Sequence, residues 1–368
     1  MHQVVYVGRQ FNIERHLKAS MRVLGNCSRY HDSMTGETVK WLARECGFEL
    51  AGIAAAEPSG DFARYREWVE KGYAGEMRYL TDPRAEVRGD PRNLLSSAQS
   101  IICVGKLYNT PGTADGGVSR YAWGEDYHRV MRDGLARMVE LLEREEGSFE
   151  HKICVDTAPL LERSYAREAG LGWIGKNTCL INEPLGSWFF LGEIVTSLKM
   201  EPDAPPPDRC GTCTRCIDAC PTKALVPDGD GQWTLDSRRC ISYLTIELRG
   251  PIPEEHREVM GTHIFGCDIC QDVCPWNSRS PVTGEAAFFA RPAWELENIA
   301  KLSPPEFHQS TCESPIARAK HGGMLRNVAV AMGNSRLGRF RGPLEEMALS
   351  PDETIAEHAQ WALKKLSQ

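Results

Sequence analysis

Apolar residues recur at helical spacing near the start of the orderly part of this chain. Thr35 is a residue type that often precedes a helix, and Glu37 follows it in what would be the first turn. The next apolar residues fall on one helical face, at Val39, Leu42, Ala43 and Cys46. The pattern predicts an amphipathic helix.

Further along, short apolar runs alternate with helical patterns. The runs predict strands at residues 50–56, 100–107 and 152–155, and helical spacing predicts helices at 62–69 and 125–146. Because strands and helices alternate, we expect an α/β or α+β layer in the first 200 residues.

The remaining chain divides by composition. A Pro- and Asp-rich connector begins at residue 201, a cysteine-rich block follows it, and residues 286–368 show helical patterns without strands, including 323–332 and 354–366. We therefore expect domains at 34–200, 201–285 and 286–368. Residues 1–33 show no regular period, which indicates an irregular extension and makes Met34 an alternative candidate for the start.

The composition describes an ordinary soluble protein. The 368 residues are 42% apolar and 25% charged, and no apolar run reaches the roughly 18 residues that a membrane helix requires. The net charge of −7 argues against non-specific coating of nucleic acid. The N-terminus lacks a secretory signal and a twin-arginine motif, so we expect a cytoplasmic protein with reduced thiols.

Eight of the fourteen cysteines lie in one block with the spacing of bacterial ferredoxins. Each half of the block has closely spaced cysteines followed by a Cys-Pro, whose thiolate typically binds the neighbouring cluster. We therefore predict two four-iron four-sulfur clusters that exchange ligands. One would be held by Cys210, Cys213, Cys216 and Cys274, and the other by Cys220, Cys240, Cys267 and Cys270.

Two zinc sites are the alternative, because Cys-x2-Cys pairs also suit tetrahedral zinc. The repeated Cys-x3-Cys-Pro favours iron–sulfur clusters. The other six cysteines receive no role and are interpreted as core residues; they are Cys27, Cys46, Cys103, Cys154, Cys179 and Cys312.

Other cofactor motifs are missing from the sequence. It contains neither a Gly-x-Gly-x-x-Gly after a strand nor a P-loop. Asp126-Tyr127-His128 begins like the cobalamin signature Asp-x-His-x-x-Gly, but Met131 stands where glycine is required. Any corrinoid would therefore lack that histidine ligand.

Several motifs, in order, resemble the epoxyqueuosine reductase family from about Thr35 to the C-terminus. They are VDTAPLLER (155–163), GWIGKNTCLI (172–181), GSWFFLGEI (186–194), the cysteine block with CISYLTIELRG (240–250) and CDICQDVCPWN (267–277), SPIARAK (314–320) and LRNVAVAMGN (325–334).

The resemblance implies reduction of an epoxide on the wobble nucleoside of tRNA, giving queuosine. It also implies cobalamin in a histidine-free, base-off state beside the clusters. The fold class it implies is α+β: a nitroreductase-like cobalamin-binding domain, a ferredoxin-like two-cluster domain and a C-terminal helical HEAT-like repeat segment. We expect a monomer that meets tRNA and an external low-potential electron donor, and no membrane.

Asp156 is the predicted proton donor. It closes an apolar strand, and burial there would raise its pKa and keep it protonated. Spacing alone favours a different role, the N-cap of a helix beginning near Pro159. The resemblance favours the acid, because this aspartate matches the family's proposed donor. Glu162 and Tyr165 are alternative acids.

Five residues are predicted to contact the corrin, by position and resemblance. They are Arg88, Lys176, Asn177, Ser242 and Tyr243. An ordinary turn explains Lys176 and Asn177 as well, and a surface turn explains Arg88.

The stretch 314–341 carries basic residues and no Asp or Glu, which is unusual in an acidic chain. Beside the helical-repeat resemblance it is the predicted tRNA surface, with Arg318, Lys320, Arg326, Arg336, Arg339 and Arg341. Arg120, Tyr121 and Trp123 could hold an anticodon base, although such clusters are more often core packing.

Two other functions remain open from the residues. A corrinoid enzyme resembling reductive dehalogenases would use the same cofactors on a small molecule. The basic C-terminal segment disfavours this function, because such an enzyme does not need it. A ferredoxin-like electron carrier would not need nearly 200 residues ahead of the clusters.

Overall fold

The computed structural model describes residues 34–111, 117–229, 231–291 and 295–368. Residues 1–33, and with them Cys27 and the question of a start at Met34, lie outside the described residues. From Met34 to Gln368 the chain forms one compact unit. None of the helices in the described ranges is long and apolar enough to cross a membrane.

A four-stranded antiparallel sheet organises the first 200 residues, and two short ribbons accompany it. The strands are β1 (Leu50–Ala55), β2 (Ser100–Leu107), β3 (His151–Cys154), β4 (Trp173–Ile174), β5 (Leu180–Ile181), β6 (Phe189–Thr196), β7 (Leu225–Pro227) and β8 (Trp233–Leu235). The strand order in the sheet is β1–β2–β6–β3, and the ribbons pair β4 with β5 and β7 with β8. Strand β2 is buried at every position, as its uninterrupted apolar run predicts.

Helices cover both faces of this sheet. The helices before residue 200 are α1 (Gly36–Glu45), α2 (Phe62–Glu70), α3 (Arg84–Val87), α4 (Tyr127–Glu146) and α5 (Glu162–Glu168). Helices α1 and α4 pack on the face that carries Ile102 and Val104, and α5 packs on the face that carries Ile101 and Cys103. Because successive side chains of β2 point to opposite faces of the sheet, this strand contributes to two separate cores.

The chain after residue 200 is mainly helical within the described ranges. Its helices are α6 (Arg215–Ala219), α7 (Ile241–Ile246), α8 (Glu254–Arg257), α9 (Ile269–Asp272), α10 (Leu296–Ala300), α11 (Pro304–Thr311), α12 (Lys320–Ser335), α13 (Arg341–Met347) and α14 (Glu353–Leu366). Helix α7 and helices α10 to α14 share a third core. Leu244 of α7, Val328 of α12 and Ala359 of α14 belong to one apolar cluster. The cysteine block and the C-terminal helices therefore pack together across the predicted boundary at residue 285.

Short 3-10 turns connect these elements. They are Arg78–Leu80, Pro91–Asn93, Arg120–Ala122, Ser237–Arg239, Pro275–Asn277, Ala286–Phe288, Pro315–Ala319 and Gly338–Phe340. The predicted elements at 50–56, 62–69, 100–107, 125–146 and 152–155 are confirmed to within two residues at each end. After residue 286 the described chain is helical, as predicted.

Candidate active site

Asp156 lies just beyond β3 in a left-handed backbone conformation, with φ of 56°. Its backbone N–H donates to Glu162 Oε1 at 2.5 Å, and its side chain is 42% exposed. The following helix begins at Glu162, with Leu161 at its N-cap. The alternative in which Asp156 caps that helix is therefore wrong.

A histidine joins Asp156 to the start of α4. The carboxylate of Asp126 caps this helix and contacts His128 Nδ1 at 2.7 Å, while His128 Nε2 lies 3.3 Å from Asp156 Oδ2. Burial alone would lower the pKa of His128, but its hydrogen bonds with Asp126 and Asp156 raise it to about 9. At neutral pH both ring nitrogens of His128 are therefore protonated and the ring is positively charged.

Sequence reasoning dismissed His128 as part of a failed cobalamin signature. Its partner Asp156 is 28 residues away in the chain, and the contact exists because the start of α4 meets the end of β3. The available signal was an Asp-x-His at the first turn of a predicted helix, where the aspartate caps the helix and can also hold the imidazole.

Arg318 supplies a second cation to Asp156. Its Nη1 lies 3.6 Å from Asp156 Oδ2, its Nε lies 2.6 Å from Glu247 Oε1, and the guanidinium covers the Tyr79 ring at 5.2 Å from the centroid. Sequence reasoning placed Arg318 on the tRNA surface and missed Glu247 and Tyr79.

The charge state of Asp156 differs from the expectation. Burial would raise its pKa, but the hydrogen bond with His128 and the charge of Arg318 outweigh burial and lower the pKa below its usual value. The expectation that burial keeps Asp156 protonated is wrong, because its counter-charges are close. In the free site the proton resides on His128.

The two alternative acids lie near this loop. Burial, followed by the charge of Asp156, raises the pKa of Glu162 to about 8. Tyr165 is buried, and its hydroxyl donates to the Glu57 carbonyl at 2.8 Å. Since that hydroxyl already has a partner in the core, Glu162 is the better placed of the two.

The first predicted cluster has its cysteines grouped. Burial, and then the neighbouring thiolates of Cys210, Cys274 and Cys213, raise the pKa of the Cys216 thiol to about 11. Trp173 packs beside this group, and its buried indole N–H has no hydrogen-bond partner among the described residues. Cluster sulfurs are suitable acceptors for such a donor, so these residues fit the predicted cluster.

The second predicted set is grouped as well. Burial raises the pKa of the Cys267 thiol to about 12, and the charges of Cys240 and Cys220 add to the rise. The pKa of the Cys270 thiol is also raised, first by its contact with Cys179 and by burial, and then by the charges of Cys240 and Cys267. Within the described residues no three metal-binding side chains are close enough to hold a single ion, whereas a four-iron cluster separates its thiolates more widely.

Three residues of the GWIGKNTCLI segment contact the cysteine loops. Lys176 Nζ donates to the carbonyls of Gly211 and Cys213 at 2.7 and 3.0 Å, and Asn177 Nδ2 donates to the Cys270 carbonyl at 3.3 Å. Cys179, which received no role, lies against Cys270. The described contacts of Lys176 and Asn177 therefore fix the loops that would bind the clusters.

The other predicted corrin contacts also have partners in the protein. Ser242 lies against the Cys240 thiol, and the Tyr243 hydroxyl accepts from the Glu76 backbone N–H at 2.9 Å. Arg88 is 6% exposed and donates to the Arg84 carbonyl at 3.0 Å. Of these three side chains, that of Ser242 contacts a predicted ligand of the second cluster.

Thr110 and Arg120 each have a buried polar atom that lacks a hydrogen-bond partner within the described ranges. These atoms are Thr110 Oγ1 and Arg120 Nε. The amides and phosphate of a corrinoid offer acceptors of the right kind, so these residues fit such a group. Tyr121 and Trp123, the other predicted base contacts, are partly buried against the core.

The predicted tRNA surface divides into exposed and buried residues. Arg326 is 1% exposed, and its guanidinium donates to the carbonyls of Leu244, Leu248 and Gly250. The prediction for Arg326 is wrong, because α12 turns this side chain into the core. Lys320, Arg336, Arg339 and Arg341 are exposed.

Comparison with known proteins first defines the class. A family described as "4Fe-4S double cluster binding domain" matches residues 209–277. This match covers all eight predicted ligands and resolves the choice between zinc and iron. The chain is an iron–sulfur protein that carries a carboxylate–imidazole site.

The particular family follows from the rest of the chain. A second family, described as "Epoxyqueuosine reductase QueG, DUF1730", matches residues 88–157. The epoxyqueuosine reductase of Xanthomonas campestris is 41% identical over 339 residues, covering 88% of this chain and 94% of that protein. The chain belongs to the epoxyqueuosine reductase family.

Solved structures agree with this assignment. An epoxyqueuosine reductase crystallised with a tRNA-Tyr stem loop carrying epoxyqueuosine is 29% identical, with a TM-score of 0.81 and 90% of each chain covered. The enzyme from Bacillus subtilis, with its catalytic aspartate loop swung out of the active site, is 28% identical, with a TM-score of 0.80 and the same coverage.

Proposed function

We propose that this protein reduces the epoxide of epoxyqueuosine in tRNA to give queuosine. The observation that carries the proposal is the link between site and cluster. Helix α7 follows Cys240, a predicted cluster ligand, and its C-cap is Glu247, which binds Arg318 beside Asp156. At the helical rise, the seven residue steps from Cys240 to Glu247 span about 10 Å, so the acid and the electron source are neighbours.

The reaction sets the requirements for the site. Removing an epoxide oxygen as water consumes two electrons and two protons. We propose that the eight cysteines hold two clusters, which pass electrons singly from an external low-potential donor. Cobalamin, when bound, would supply a strongly nucleophilic metal. Ser242, Thr110 and Arg120 would hold it.

Asp156 is the proposed proton donor to the departing oxygen. His128 Nε2 holds a proton at neutral pH and adjoins Asp156 Oδ2, so it can protonate that carboxylate as the substrate takes its proton. Asp126 orients the imidazole through Nδ1. The movable catalytic aspartate loop of the Bacillus subtilis enzyme supports this role for the loop of Asp156.

The tRNA would lie on the exposed basic residues of the C-terminal helices. Lys320, Arg336, Arg339 and Arg341 are accessible to phosphates, although Arg336 and Arg339 also approach Glu258 and Glu297 at 3.7 and 3.2 Å. We propose that the protein acts as a monomer in the cytoplasm, where its tRNA substrate resides.

The test is reduction by the purified chain. Anaerobic protein loaded with iron, sulfide and cobalamin is incubated with a low-potential reductant and tRNA carrying epoxyqueuosine, and the digested nucleosides are analysed by mass spectrometry. We expect loss of one oxygen from the modified nucleoside. Protein that contains iron and cobalt yet leaves the epoxide intact would contradict the proposal.

A further inference from the structure

A second acidic group lies behind the Asp156 loop and has no place in the mechanism above. Glu193 is in the middle of β6, opposite Cys103 of β2 and Cys154 of β3. Its side chain shares the face of the sheet covered by α5, and it is 0% exposed. A fully buried carboxyl group requires a partner or a proton.

The neighbour of this group is another carboxyl. Neither oxygen of Glu193 has a hydrogen-bond donor among the described residues, and its carboxyl group lies against that of Glu162. Two carboxylates cannot hydrogen-bond to each other, since neither has a donor. One proton placed between them gives both groups a partner and removes the repulsion of two adjacent charges.

This arrangement is connected to the catalytic loop. Glu162 Oε1 accepts the backbone N–H of Asp156 at 2.5 Å, and Asp156 has the left-handed conformation that non-glycine residues seldom adopt. With one proton shared with Glu193, Glu162 keeps this acceptor and carries less charge. Without that proton, the full charge of Glu162 would lie between the carboxylates of Asp156 and Glu193.

The other groups around the pair do little to offset its negative charge. The charge of Arg163 in α5 favours the ionised form of Glu162, while the thiols of Cys103 and Cys154 face Glu193 from β2 and β3. Burial raises the pKa of both thiols, so they stay neutral. His128 lies beyond Asp156 and neutralises that carboxylate.

We propose that Glu162 and Glu193 form a carboxyl pair that holds one shared proton and thereby keeps the Asp156 loop in place. Glu162 and Glu193 are positioning residues, since they act through the backbone of Asp156. The catalytic meaning of the pair rests on the proposed function, but its proton and its effect on the loop are measurable without substrate or cobalamin.

The first measurement is the infrared spectrum of the full-length, cluster-loaded protein as a function of pH. We expect the carbonyl stretch of a protonated carboxylic acid at neutral pH, lost as the pH rises through about 8 and above. Glu162→Gln and Glu193→Gln should each remove this band, whereas Glu145→Gln, at an exposed position, should keep it. A band that is missing from the unmodified protein, or that survives in both pair variants, overturns the proposal.

The second measurement is hydrogen–deuterium exchange of the peptide containing Asp156 and Thr157, corrected for the intrinsic pH dependence. Above the titration of the pair, exchange should accelerate by about tenfold per pH unit. In Glu193→Gln the amide donates to Glu162, so the acceleration should disappear. Equal pH profiles in the two proteins would overturn the role of the pair in holding the loop.

These outcomes are distinct from failure of the proposed function. If the protein shows the infrared band and the exchange profile but does not reduce the epoxide, the carboxyl pair is supported and the proposed reaction is wrong. If Glu193→Gln does not fold, Glu162→Gln carries the same test, because its amide oxygen can still accept from Asp156.

Discussion

Asp156 lies in the loop after β3 and Glu193 lies in β6 behind it, and the environments of these two acidic residues shift their pKa values in opposite directions. Asp156 is partly exposed and faces the cations His128 and Arg318, which lower its pKa. Glu193 is buried beside Glu162, which raises its pKa well above the usual value. Burial therefore decides the charge of a carboxyl group only where no cation is near.

The most severe test of this comparison is Asp156→Asn. Asparagine keeps the size of the side chain but cannot deliver a proton, so we expect kcat for epoxide reduction to fall by about a hundredfold or more. The visible absorption of the clusters should stay unchanged, because Asp156 is not a ligand. Near-normal turnover would assign the proton to another group.

His128→Gln should have the next largest effect. The pKa of His128 is about 9, so the unmodified enzyme should lose activity as the pH rises through that value and the imidazole loses its proton. Without the imidazolium we expect kcat at neutral pH to fall by about tenfold or more, with no decline near that pH. An identical pH profile in the variant would remove His128 from proton delivery.

Glu193→Gln tests the buried carboxyl pair through the pH dependence of the free energy of unfolding. In the folded state the pKa values of Glu162 and Glu193 lie above 4.5, so the folded state binds more protons and the free energy of unfolding falls as the pH rises from about 4.5 to about 8. The variant should lose much of this dependence, a relative gain of about 1 to 3 kcal/mol at the alkaline end.

The measurement is urea denaturation of both proteins at several pH values across this range. Glu145→Gln provides the control, since an exposed carboxylate should not alter the pH dependence. A variant that loses stability with pH as steeply as the unmodified protein would show that the pair carries no extra proton.

The smallest effect is expected at the surface. Lys320→Glu and Arg339→Glu should weaken tRNA binding, and each should reduce the slope of log K against log salt by about 0.7 to 0.9 if one phosphate contact is lost. Arg144→Glu, at an exposed position on α4, is the charge-matched control. Unchanged slopes in the first two variants would place the tRNA elsewhere.

Local spacing was sufficient for the cluster region. Cys210, Cys213 and Cys216 are close in the chain and the Cys-Pro pairs follow the ferredoxin spacing, so the double-cluster class could be predicted and is confirmed by the family match. The division of the eight cysteines into two ligand sets stays a prediction. The strands could be predicted equally well, because β2 is a continuous apolar run.

The acid site was only partly predictable, because contacts between distant segments build it. Asp156 could be named, but its charge depends on His128 and Arg318, which come from other parts of the fold. Counting charges along the chain also misassigned Arg326. The apolar run around it, buried from Met324 to Gly333, was the signal that this stretch of α12 faces the core on all sides.

Arg318 comes from the turn Pro315–Ala319, well after the last cluster cysteine, and still reaches Asp156. The C-terminal segment therefore contributes directly to the surroundings of Asp156. A chain truncated after the cysteine block would lose the counter-ion of this acid together with much of the core that the block shares with those helices, so any minimal catalytic fragment has to extend beyond this arginine.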